Sequence, residues 1–207
     1  MAILLTDDQV AQARERIVQV AERQAVERGL ERISMHSIAQ ELGWSATALY
    51  RYFENKDAIL AAARTVSLNR LSDRLEEAFA GPGDIWAISR EVGRAYVKFA
   101  FESPDAYRLI FALAQPDVSL YPELQEALAR SRKNMTRYVE RMVEEGGLDA
   151  DPVVLGHIFW ASLHGLISLH MAGKLGPDAP SFETLRREMM RRIVQSATRG
   201  RRINQEL

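Results

Sequence analysis

Cysteine is absent from this 207-residue chain. That one absence removes disulfides, thiolate metal sites and cysteine nucleophiles together, and nothing argues for an oxidising compartment, so a cytoplasmic location is expected. Charge of one sign is missing as well: the net charge is −1, and residues 1–60 carry seven Lys/Arg against nine Asp/Glu. Affinity for a polyanion would therefore have to come from local geometry, because the global field supplies none. The opening Met1-Ala-Ile-Leu-Leu-Thr-Asp-Asp holds an apolar patch too short for a signal-peptide core and meets acid at once. No stretch alternates long enough to read as a strand. No Gly-x-Ser-x-Gly elbow, phosphate-cradling loop or His-Glu-x-x-His is present, so an enzyme would have to use His157 or His164 as base, with Ser162 or Ser168. The most membrane-like run, 153–173, contains three histidines, three glycines and two serines and lacks a basic flank on its N-terminal side. It reads as a helix buried inside protein, and no membrane is expected.

What is present is helical periodicity at a hydrophobic content of 47%, ordinary for a globular chain. Val10, Ala13, Ile17, Val20, Ala21 and Ala25 form one stripe, and Gly29 sits where a left-handed cap would end the helix. Ser34 caps a short helix with inner face Met35, Ile38, Ala39 and Leu42, which Gly43 breaks. After a tight turn at Trp44, Ser45 caps a third helix in which Leu49 and Phe53 face inward while Ala46, Thr47, Tyr50 and Arg51 face out. Asn55 caps a fourth helix from Lys56 to about Phe79, and Gly81-Pro82-Gly83 is the clearest break. Further helices are expected from Asp84 to Phe101, Asp105 to about Ala114, Pro122 to Glu145 (ended by Gly146-Gly147), about Asp151 to Ala172, and Phe182 to Thr198, before a basic tail. The fold class is all-α, with about nine helices: a three-helix N-terminal domain over 8–54, a larger helical domain over 55–200 and a tail over 201–207.

Residues 34–53 meet the requirements of a helix that enters the DNA major groove: a bracing helix, a glycine for the sharp turn, and a second helix small and polar at its tip with an apolar rear. A helical hairpin that merely packs satisfies the periodicity equally. The stretch Arg16–Leu60 goes further and resembles the DNA-binding domain of the TetR family, in Gly29, Ser34, Ile38-Ala39, Gly43-Trp44-Ser45, Leu49-Tyr50-Arg51-Tyr52-Phe53, Lys56 and Ile59-Leu60. The resemblance implies a helix-turn-helix that binds double-stranded DNA, with His36, Ser45, Ala46, Thr47, Tyr50, Tyr52 and Lys56 at or near it. Tyr50, Tyr52 and Lys56 would lie mainly on phosphates, and Thr47 and Arg51 are candidate base or backbone readers. Packing beneath the helix is the alternative for Tyr52. Three positions depart from the family pattern. Ala46 stands where many relatives place lysine or glutamine, Trp44 replaces a smaller aliphatic, and the arm before the first helix is apolar and acidic instead of basic. Sequence preference should be correspondingly modest, and binding should depend on dimerisation.

The remainder resembles a TetR ligand-binding and dimerisation domain, with Trp160-Ala-Ser-Leu-His164-Gly165 and Pro104-Asp-Ala-Tyr107-Arg-Leu-Ile-Phe111 similar to the Trp-His-Gly subfamily. This implies a pocket for a small, largely apolar effector, for which Phe101, Tyr107, Phe111, Met135, Tyr138, Trp160 and His164 are the candidates, with Trp86, Tyr96 and Met171 in the same stock. It also implies a homodimer through helices near 153–172 and 182–198, since a helix apolar all round needs burial on more than one face. His157, His164 and His170 do not share a metal, because positions seven apart on a helix are roughly 10 Å apart. No cofactor is expected. The arginines at 186, 187, 191, 192, 199, 201 and 202 read as a solvated face with intersubunit ion pairs more readily than as a second nucleic-acid patch. The expected function is an effector-released repressor. The competing readings are a helical interaction protein that has lost operator binding and, last, a histidine-dependent enzyme.

Overall fold

A computed structural model of the chain describes residues 6–112, 116–146 and 148–198. The N-terminal arm before Thr6, Gly147 and the basic tail with Arg199, Arg201 and Arg202 lie outside them, as does the expected end of the sixth helix at Ala114. Among the described residues there are nine α-helices and no strand: α1 Asp7–Arg28, α2 Met35–Leu42, α3 Ala46–Leu49, α4 Lys56–Phe79, α5 Ile85–Glu102, α6 Pro104–Ile110, α7 Pro122–Gly146, α8 Pro152–Met171 and α9 Phe182–Thr198. Short 3-10 turns occupy Leu30–Arg32 and Val118–Leu120.

Local chemistry accounts for the ends. Thr6 and Gln9 make a capping box, as do Ser34 and Ser37; Ser45, Asn55, Asp84, Asp151 and Ser181 each accept from a backbone N–H in the first turn that follows. Gly43 adopts the left-handed conformation, φ 69° and ψ 26°, which a side chain would strain. Gly29 differs from the expected left-handed cap. Its φ is positive at 83°, but ψ is 151°, so the chain leaves α1 in an extended step and enters a 3-10 turn. The sixth helix begins on Pro104 and stops at Ile110, where the N–H of Phe111 turns back to the carbonyls of Leu109 and Tyr107.

The described residues form two compact units: those up to Ser72 with those between Phe99 and Ser131, and Asp73–Lys98 with those from Arg132 onward. The division falls inside α4, α5 and α7 instead of at residue 54, because α6 packs on α1 and sends Leu109 into the core that Ile17, Ala21, Ile38, Leu49 and Ile59 build. In this first unit Arg64 is buried, at 5% exposure. Its Nη2 donates to the carbonyl of Ile110 at 3.0 Å, while Nε and Nη1 have no partner among the described residues. Burial pulls the Arg64 pKa down from its ordinary value, as desolvation of a cation must.

The second unit is centred on Leu75, Val92, Tyr96, Val139, Met142, Phe159 and Ile167, all buried. Asn134 donates to Glu76 at 2.7 Å, and the Arg137 guanidinium lies 4.2 Å over the Phe79 ring. One face of α8 enters this core through Leu155, Phe159, Leu163 and Ile167. The other leaves Val153, Val154, Ile158 and Leu169 between 45% and 57% exposed. Helix α8 is apolar and long enough to cross a membrane by composition, yet its face with Leu155, Phe159, Leu163 and Ile167 is committed to a protein core.

Helices α7 and α8 meet closely at Gly156, where an added Cβ would stand 2.9 Å from Thr136 Cγ2 and 3.2 Å from Thr136 Cα. Gly156→Ala should therefore destabilise the fold by about 1–3 kcal/mol through overpacking. Gly93→Ala, with nothing within 4 Å of the new Cβ, should be neutral or stabilising by up to about 1 kcal/mol. Denaturant unfolding of the two variants checks the pair.

Candidate nucleic-acid interface and ligand cavity

The first unit builds its helix-turn-helix from the rear forward. Ile17 and Ala21 of α1, Ile38 and Ala39 of α2, and Leu49 and Phe53 of α3 and its exit close one apolar core. A polar knot lies across that core. Gln24, fully buried on α1, donates its amide to the carbonyl of Ser37 at 3.0 Å and to Glu41 Oε2 at 2.5 Å, and it accepts from the Ser37 hydroxyl at 2.8 Å. Arg23 grips the same Glu41 carboxylate from the solvent side. The Gln24 amide first, and the Arg23 guanidinium second, hold the Glu41 carboxyl below its ordinary range. Both act in the direction expected when donors face a carboxylate.

Beyond the turn, α3 makes one helical turn and the chain coils on through Tyr52 and Phe53, whose N–H groups both reach the carbonyl of Leu49. Leu49 is buried and Tyr50 is 58% exposed. Thr47, Arg51, Ser45 and His36 are exposed on the same unit; Ala46, Tyr52 and Lys56 are half-buried. The Tyr52 ring leans on Trp44 at 5.8 Å between centroids, and Arg16 lies 5.4 Å over the Trp44 ring. Arg14 covers Phe53 at 4.1 Å and donates to the Tyr52 carbonyl. The unusual Trp44 thus has a packing role, and the ring of Tyr52 shares it.

The second unit contains a cavity of about 290 Å³ walled by α4, α5, α7, α8 and α9. Of the sequence-derived candidates, Met135, Tyr138 and Trp160 line it, together with Trp86 and Tyr96; Phe101, Tyr107, Phe111 and His164 do not. Tyr107 and Phe111 meet in the first unit with ring centroids 4.9 Å apart and planes tilted by 56°, and Phe101 belongs to that unit and is 40% exposed. His164 sits one position beyond the lining residue Leu163, 3.4 Å from the Ser168 hydroxyl, and burial lowers its pKa. The wall contributed by α9, with Arg186, Met190 and Val194 at four-residue intervals, reads in the sequence only as interface and solvated face. Trp160 donates its indole N–H to the Tyr96 hydroxyl at 3.2 Å. Burial pushes the Tyr138 phenol up, so it stays a neutral donor. Among the described residues no group of three or more His, Asp or Glu is placed to hold a metal.

Two family models match the chain: "Bacterial regulatory proteins, tetR family" over residues 17–63, and "Tetracyclin repressor-like, C-terminal domain" over 89–193. The chain belongs to the TetR family. Among its relatives, the uncharacterized HTH-type transcriptional regulator Rv0472c of Mycobacterium tuberculosis is 30% identical over 132 residues, 63% of this chain and 55% of that one. Over its matched segment the chain thus spans about half the length of this relative. The HTH-type transcriptional regulator Rv1816 of the same organism is 24% identical over 192 residues, covering 79% of this chain and 82% of the other. The crystal structure of the TetR regulator PfmR from Thermus thermophilus superposes with a TM-score of 0.67 at 26% identity, over 87% of this chain and 97% of that one. The TetR family is one of transcription regulators, not enzymes.

The TetR N-terminal match covers the polar knot at Gln24, Ser37 and Glu41, none of which is among the residues expected from the sequence to carry function. A signal for it existed: Ile17, Ala21 and Gln24 fall on one helical face, so a lone amide interrupts the inward stripe of α1. Because the folded pKa of Glu41 is depressed, the stability it contributes is fully present above the ordinary carboxylate value, about 4.3, and is lost as pH falls through the depressed one. Between neutral pH and about pH 3 the wild type should therefore lose more stability than Glu41→Gln, as read from paired urea titrations across that range. Parallel losses would contradict the assignment.

Proposed function

We propose that this TetR-family protein is a homodimeric DNA-binding repressor released from its operator by a small effector held in the second unit. The observation that carries the DNA-binding part is the division of α3 and the turn that continues it: Leu49 fully buried behind, and Thr47, Tyr50 and Arg51 exposed in front. A rigid, braced helix with a polar tip is what major-groove docking needs. Thr47 and Arg51 then read bases, and Ala46 adds at most an apolar contact such as one to a thymine methyl. Tyr50 and Lys56 hold phosphates, and His36 and Ser45 flank the groove. With so few cations per protomer, binding depends strongly on dimerisation.

The support for dimerisation is the exposed apolar stripe of α8, Val154, Ile158 and Leu169 with Gly165 between them. Apposed to the same stripe of a second copy, with α9 alongside, it forms an isologous interface. Two reading helices then fall in successive major grooves, roughly 34–36 Å apart. Helix α4 begins at Lys56 beside the reader and contributes Leu75 to the cavity wall, which makes it the lever of the switch. The effector acts only through its differential affinity for the DNA-bound and released arrangements.

Footprinting on DNA upstream of the protein's own gene, over a range of salt, tests the reading. A protected two-fold site with a Kd of about 10⁻⁸ M or tighter supports it; uniform weak binding would sink it in favour of an interaction protein. Lys56→Ala should weaken all sequences alike and flatten the salt slope by about one per protomer, whereas Thr47→Ala should change sequence choice. Ile158→Glu should give a monomer by light scattering and lose the footprint.

A further inference from the structure

We infer that the cavity of the second unit takes a small hydrophobic monoanion, a carboxylate on an apolar body, with the charge at Arg90. The inference rests on the reading of this cavity as the effector site and names the chemistry of its ligand. Among the described residues the ionisable groups on the wall are Arg90, Arg186 and Arg191 and two tyrosines; no Asp, Glu, Lys or His lines it. Two of the three cations are already answered. Arg186 donates to Glu183 at 2.9 and 2.6 Å, and Arg191 donates to Glu188 at the same distances. These pairs lie within α9 itself. Arg90, exposed on α5 at the edge of the cavity, has no ion pair among the described residues.

The polar groups deeper in are as few. The Trp160 N–H is spent on Tyr96, and the Tyr138 hydroxyl, with no hydrogen-bond partner among the described residues, is left to donate. Ser89 and Gln195 add two neutral polar groups, the Gln195 amide oxygen already accepting from Arg191 at 3.0 Å; the rest of the wall is apolar and adaptable, with Met135, Met142 and Met190 beside Trp86 and Phe159. One cation without an ion pair and a few neutral polar groups in a largely apolar cavity match a ligand with a single negative charge. A cationic ligand would find no carboxylate on the wall and three arginines instead, a polyphosphate would exceed the available donors, and a sugar would leave most of its hydroxyls unpaired. The volume of about 290 Å³ lies at the small end for ligand pockets, which selects a compact acid over a long acyl chain with a bulky carrier.

The test is calorimetric titration of the full-length protein with octanoate, octanamide and octylamine, alone and with operator DNA bound. Octanoate should bind once per protomer and at least about tenfold tighter than octanamide, the value of one charge-assisted hydrogen bond, and octylamine should not bind. Arg90→Met should bring acid and amide within about threefold of each other, and Leu163→Trp, which fills the cavity, should abolish both. Equal affinity for acid and amide, an acid preference that survives Arg90→Met, or no binding of octanoate would overturn the inference. The two readings separate in the DNA arm. If octanoate binds through Arg90 without changing DNA affinity, the effector assignment fails and the ligand chemistry stands. If the amide alone binds and releases DNA, the reverse holds.

Discussion

The buried amide of Gln24 is the constraint on which the reading end of this molecule depends. Apolar packing alone fixes that α1 and α2 touch; it does not fix where, because Ile, Val and Ala side chains tolerate small slides. A carboxamide out of water is less forgiving, since each unmade hydrogen bond costs about 1–3 kcal/mol. Gln24 meets that demand by bonding the Ser37 carbonyl, the Ser37 hydroxyl and the Glu41 carboxylate. One register of α2 along α1 satisfies all three. Ser37 is also the partner of Ser34 in the capping box that starts α2, so the same contact fixes both the start of α2 and its seat. From there Gly43 turns the chain and Leu49 seats α3, and the exposure of Thr47 and Tyr50 follows.

Much of this is legible in the sequence, and the remainder has a common physical character. The helices, their Ser, Thr, Asn and Asp caps and the inward-outward split of α3 are local matters of spacing and side-chain reach, and they stand in the structure within a few residues. What spacing does not contain is which helix faces which. The Gln24 knot joins positions 13 and 17 apart; Arg64 meets Ile110 across 46. Leu109, on a helix that the sequence places in the second domain, completes the core of the first unit. The cavity shows the same limit. Met135, Tyr138 and Trp160 are aromatic or flexible groups on helices that do wall it, but Phe101, Tyr107 and Phe111, equally suitable in chemistry, sit in the other unit. Arg90 is invisible in the sequence because its character comes from a missing partner, which no local pattern records.

Two features of the second unit carry opposite halves of one requirement. Helix α8 commits Leu155, Phe159 and Leu163 to its own core and leaves Val154, Ile158 and Leu169 outward, the face that the proposed dimer would cover. The cavity lies against the inner half of the same helix. In the proposed dimer, a ligand that reshapes the inner packing of α8 or the seat of Leu75 on α4 acts on elements that also carry the dimer contact and the reader. That shared use of two helices is how a compact apolar acid would alter the separation of two distant reading helices.

The most direct test of the central claim is the DNA affinity of Gln24→Leu measured beside its unfolding free energy. The substitution keeps the volume and removes the knot. If the knot sets the seat of the reader, the variant remains folded but loses sequence-specific binding by more than its folded fraction accounts for, while its weak non-specific binding persists. Wild-type affinity and sequence choice in a stably folded Gln24→Leu protein would contradict the account.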